Sequence, residues 1–107
     1  MTITILENAR LFDGTDADCP TGVSVAIEGG TIKEVSDRPV AATGAQRIDV
    51  GGRTLMPGLI DLHIHAYISD VNVQRVDAMG PAHRTAHAVR MLGHALDCGF
   101  TTVRGIG

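Results

Sequence analysis

The sequence predicts an α/β protein in two parts. A small sheet of short strands occupies residues 1–56, and a strand–helix–strand unit occupies residues 57–107. Three observations carry this. In the first half, apolar and polar residues alternate with period two between Gly-rich turns. The stretch from Pro81 to Cys98 changes to helical periodicity. Apolar stretches at 58–65 and 100–104 flank that helix, as in a right-handed βαβ unit with parallel strands.

Thr2 to Leu6 reads as a strand with Ile3 and Ile5 on one face. Asn8 to Phe12 continues extended into a turn at Asp13-Gly14. Thr15 to Pro20 is a polar loop. Asp13, Asp16 and Asp18 do not complete a calcium loop, because the distal Glu of that pattern is absent. Gly22 to Val35 is the clearest hairpin. Val23, Val25 and Ile27 alternate with Ser24, Ala26 and Glu28, and Gly29-Gly30 supplies a two-residue turn that tolerates positive φ. No helix follows that Gly pair, so it is not a phosphate-binding turn. Ser36 to Gly44 reads as a loop, Gln46 to Val50 as a short strand, and Gly51-Gly52 as the turn into Arg53–Met56.

Ala66 to Gly80 has no clear period. In a barrel it would be the first strand-to-helix loop, where Tyr67, Asp70, Asn72, Gln74 or Arg75 could face a substrate; an ordinary solvated loop or short helix is the plainer reading. Gly80 and Pro81 start a helix well, and Gly99 stops it. Ala82, Ala86, Val89, Leu92 and Leu96 form its apolar stripe, widened by Ala88, Met91 and Ala95. His83, His87, Arg90, His94 and Asp97 collect on a polar arc. His83 and His87 have the i, i+4 spacing of helical metal ligands, but lack the Glu of His-Glu-x-x-His and read as a solvated face.

Composition removes several function classes. The formal net charge is -3 with no basic run, and aromatics are scarce, so neither phosphate attraction nor base stacking favours nucleic acid. No apolar run approaches a membrane span, and the N-terminus lacks the basic start and apolar core of a signal peptide. Cys19 and Cys98 form no metal motif; a disulfide between them has no support, and the plainer reading is two free thiols in a reducing compartment, so that these features together favour a soluble cytoplasmic protein.

The chemistry centres on Met56-Pro57-Gly58-Leu59-Ile60-Asp61-Leu62-His63-Ile64-His65. Strand side chains alternate faces, so Asp61, His63 and His65 share one face and Leu62 and Ile64 the other. Two imidazoles side by side at a strand end can converge on one metal ion, since neutral imidazole nitrogen suits zinc and similar ions. His-x-His alone is a weak signal. Its position strengthens it: the pair sits where an apolar run stops, the edge at which α/β barrels build sites.

Pro57 to His65 resembles the first barrel strand of the amidohydrolase superfamily. Gly99-Phe100-Thr101-Thr102-Val103-Arg104 is similar to the second strand in its imidazolonepropionase-like and prolidase-like (Xaa-Pro and Xaa-Arg dipeptidase) branch. The resemblance spans nearly the whole chain. It implies that residues 1–56 are part of a β-sandwich completed by C-terminal strands. Residues 57–107 would be strand 1, helix 1 and strand 2 of a TIM (β/α)8 barrel. That barrel is incomplete in 107 residues, since the fold needs about 250.

The resemblance further implies a metal-dependent hydrolase that cleaves amide, peptide or cyclic amide C–N bonds with metal-activated water. Its substrate would be a small amide or a dipeptide. His63 and His65 would bind the more buried metal, a divalent ion expected to be zinc, with one or two ions in the complete enzyme. Asp61 would support rather than ligate. The family's bridging carboxylated Lys or Glu, its two further His and its Asp general base come from later strands, so no catalytic residue is assigned in this chain. Relatives commonly carry Asp where this chain has Gly105, which weakens any reading of substrate contacts there.

Three molecules fit these residues: the front part of such an enzyme, a non-catalytic structural or interaction module, or a small metal module joining His63 and His65 to His83 or His87. Ending on an unfinished βαβ sheet favours the first. Leu59, Leu62, Ile64 and the apolar helix arc would then be covered by the remaining C-terminal part of the barrel, or by self-association into a homo-oligomer.

Overall fold

The computed structural model describes residues 2–15, 18–68 and 70–105. It divides into two compact units, Met1–Pro57 and Gly58–Gly107. Strands predominate over two helices among the described residues. Among the described residues, no helix is long and apolar enough to cross a membrane.

The first unit is one five-stranded sheet. Its strands are β1 (Ile3–Leu11), β2 (Val23–Glu28), β3 (Thr31–Ser36), β4 (Gln46–Asp49) and β5 (Thr54–Leu55). Their order is β3-β2-β1-β4, with β5 also on β1. The β2–β3 hairpin forms at the expected place, with Gly29 and Gly30 at φ 58° and 78°. β1 joins the expected strand at Thr2–Leu6 and the expected extended stretch from Asn8 into one element. Its register shifts between Leu6 and Ala9, where Asn8 takes φ 58°. This bulge bends β1 and lets it pair in parallel with β4 over Thr4–Glu7 and then with β5 over Arg10–Leu11. Gly52 N donates to Asn8 O at 2.8 Å, which docks the turn between β4 and β5 on the bulge.

One face of the sheet packs Ile5, fully buried, and Ala26 against Val40, with Ile3, Ala42 and Ala45 around them. The loop before β4 therefore supplies the cover for that face. On the opposite face Leu6, Val25, Ile27, Ile32, Val35 and Leu55 contribute to an apolar depression of about 280 Å³. Asp13 accepts hydrogen bonds from Thr15 N and Thr15 Oγ1, closing a local turn. Asp16, named above with Asp13 and Asp18, lies outside the described residues.

The second unit contains β6 (Leu59–Ile64), α1 (Val73–Ala78), α2 (Pro81–Asp97) and β7 (Phe100–Gly105). β6 and β7 are parallel and joined through the helices, as the βαβ pattern requires. α1 resolves the stretch that had no clear period: Asn72 Oδ1 accepts from Arg75 N at 3.2 Å and caps it. α2 starts on Gly80 with Pro81 at its first position and stops at Gly99, φ 94°.

The buried side of α2 differs from the expected stripe. Ala88 is buried, and Met91 and Ala95 are half-buried, whereas Val89 and Leu96 are 66% and 61% exposed. The apolar arc is wider than the two-stranded sheet can cover, so one flank packs and the other faces solvent.

Candidate metal centre

β6 delivers the His pair. Its register against β7 slips twice. β7 carries an extra residue near Thr101, between the pairs Leu59↔Phe100 and Ile60↔Thr102. β6 carries one at Leu62–His63, between Asp61↔Val103 and Ile64↔Gly105. The first slip brings the Thr101 side chain over Gly58. A Cβ on Gly58 would lie 2.7 Å from Thr101 Cβ, and closer still to Oγ1 and Cγ2. The Gly of the Pro57-Gly58 turn is thus required for space, and its φ is not positive.

The second slip falls at the histidines, and bulges of this kind re-aim side chains next to sites. His63 Nε2 and His65 Nε2 lie 3.0 Å apart, with ring centroids 5.0 Å apart and planes at 66°. His63 is exposed and His65 half-buried. His65 Nδ1 is buried with no hydrogen-bond partner. Asp61 Oδ1 accepts from His63 N at 2.9 Å, so this carboxylate is engaged with backbone.

The donor set fits a metal ion in part. Two imidazole nitrogens about 2.0–2.1 Å from one zinc, at angles of roughly 90–110°, lie about 2.9–3.4 Å apart. The observed separation is inside that range. The orphaned His65 Nδ1 is the atom for which a metal-bound histidine needs an outer partner. The set is also short: a catalytic zinc normally has three protein ligands. Among the described residues, no three His, Cys, Asp or Glu side chains come together as a metal cage. His83 and His87 stack on each other with centroids 4.8 Å apart and, among the described residues, are not gathered with His63 and His65 into one ligand cluster.

Other polar residues after β6 are engaged locally. Asp70 accepts from Asn72 N and pairs with Arg75 at 3.4 Å, while Asn72 caps α1. Tyr67 Oη lies 3.4 Å from Thr85 Oγ1, which in turn donates to Pro81 O. Arg104, on β7, was not among the residues expected at the site. Its Nε donates to Leu62 O at 2.9 Å, beside His63.

No family model matches the chain. Among solved structures, an amidohydrolase superposes with a TM-score of 0.91 at 42% identity, covering 99% of this chain and 26% of that one. A prolidase complexed with N-methylphosphonate-L-proline superposes with a TM-score of 0.93 at 37% identity, again covering 99% and 26%. Among curated proteins, a dihydroorotase of Trichlorobacter lovleyi is 33% identical over 61 residues, which is 57% of this chain and 14% of the relative. The chain thus spans about a quarter of these solved structures, and less of the curated relative.

Proposed function

From the premise that this chain matches the N-terminal portion of amidohydrolase-superfamily proteins, we propose that it is the front part of a metal-dependent hydrolase of C–N bonds. The substrate class is a small amide, a dipeptide or a cyclic amide. Residues 1–56 form one layer of a sandwich, and residues 57–107 begin a (β/α)8 barrel whose remaining strands lie in the C-terminal part. The observation that carries the reading is the 3.0 Å approach of His63 Nε2 and His65 Nε2 where β6 ends.

In this role both histidines are neutral donors from one short stretch of backbone. The site they begin takes a divalent ion, zinc in the first instance, which when bound lowers the pKa of water and polarises a carbonyl. The chain's own contribution is to hold two ligands at fixed spacing. No third ligand side chain joins the pair among the described residues; in this reading the other ligands and the general base come from later barrel strands, as the resemblance to the amidohydrolase superfamily implies.

The test is the double variant His63→Ala/His65→Ala in the complete protein. Bound metal, measured by atomic emission, and amide or dipeptide hydrolysis should fall together. Retention of wild-type metal content and rate would overturn the assignment. A complete protein that takes up no divalent metal and hydrolyses none of the three substrate classes would identify a structural module instead.

A further inference from the structure

Between Asp61 and Ile64 the β6–β7 ladder has one residue too many on β6, and Leu62 and His63 have no partner in the register. A backbone unit that falls out of the ladder's register is freer to tilt unless other groups hold it. Here they do so from both ends of one peptide group. Its N–H, on His63, donates to Asp61 Oδ1 at 2.9 Å. Its C=O, on Leu62, accepts from Arg104 Nε at 2.9 Å. A carboxylate and a guanidinium make stronger hydrogen bonds than neutral groups. The plane from which the His63 side chain leaves the strand is therefore set by two charged side chains, one on β6 itself and one on β7.

We infer that Asp61 and Arg104 are positioning residues for His63: they clamp the Leu62–His63 peptide group and so fix His63 Nε2 against His65 Nε2. The inference rests on the metal reading of that pair and adds to it the source of its precision. Arg104 reaches across from β7, so the clamp also ties the spacing of the two nitrogens to the pairing of the two strands. Mutation of groups that orient metal ligands typically costs about 10–100-fold in metal affinity.

The probe is Co2+ with the complete protein, read by its visible absorption, together with NMR of the metal-free protein. Asp61→Ala and Arg104→Ala should each weaken Co2+ binding by about 10–100-fold and change the band shape. Both should also lose the nuclear Overhauser contact between the two imidazole Hε1 protons. Asp61→Asn keeps an acceptor oxygen and should restore both readouts, which a general loss of stability would not allow. Because both residues hold one peptide group, the double variant Asp61→Ala/Arg104→Ala should lose less than the product of the single losses. If wild type binds Co2+ and the single variants bind equally well with the proton contact intact, the clamp is wrong and the metal reading stands. If wild type binds no Co2+, the metal reading falls and takes the clamp's role with it.

Discussion

Gly58→Ala is the most direct test of how β6 and β7 fit together. The added Cβ would sit 2.7 Å from Thr101 Cβ, and Oγ1 and Cγ2 are nearer, so no rotation of the Thr side chain clears the space. Gly58 has no positive φ, so the backbone itself accepts alanine and the cost is purely one of crowding. Forcing an extra carbon into a packed contact typically costs about 1–3 kcal/mol. At roughly 4–8 °C per kcal/mol for a domain of this size, the melting temperature should drop visibly. Tyr67 is the chain's one tyrosine, there is no tryptophan, and it lies in the second unit, so its fluorescence follows the unit that carries the substitution. Thr101→Gly removes the opposing side chain and should abolish most of the Gly58→Ala penalty in a double-mutant cycle. A Gly58→Ala protein within about 0.5 kcal/mol of wild type, or an equal penalty in the Thr101→Gly background, would refute the close approach.

Ile5→Ala should cost about 2–5 kcal/mol in urea unfolding, because Ile5 is fully buried between the sheet and the loop that bears Val40; a loss below that range would mean the loop is not the cover. Val89 and Leu96 lie on the uncovered flank of α2, so residues 1–107 by themselves should associate in analytical ultracentrifugation, and Val89→Glu/Leu96→Glu should shift the distribution towards monomer. A monomeric wild-type fragment at all concentrations would show that this flank is tolerated in water.

Local rules were enough for the hairpin and the long helix. Gly29-Gly30 between alternating strands leaves few other foldings, and Gly80-Pro81 with Gly99 brackets α2. The His63–His65 spacing also pointed to two rings at one strand end. What stayed hidden is non-local. The parallel pairing of Thr4–Glu7 with Gln46–Asp49 has no short-range signal, because the intervening chain carries no information about its partner. The bulge at Asn8 and the slips at Thr101 and Leu62–His63 arise from strand fit, which a period-two reading assumes away. A guanidinium bonding a backbone carbonyl, as Arg104 does with Leu62, leaves no trace in residue type. On α2 the amphipathic wheel gave an arc, but the width of the neighbouring sheet decided which part of it was buried.

The place of β1 has a consequence for how the chain is made. Of the strands in this sheet it is synthesised before the others, yet it stands inside the sheet, with β2 on one side and β4 and β5 on the other. On the ribosome β1 can meet β2 early, but its other edge stays bare until Gln46–Leu55 has emerged. Closing that long loop carries an entropic cost before any contact repays it. The β2–β3 hairpin needs only the two-residue turn between its strands. Pulse-labelled hydrogen exchange during refolding should therefore protect β2 and β3 amides before those of β4; simultaneous protection of all the strands would show that the sheet closes in one step.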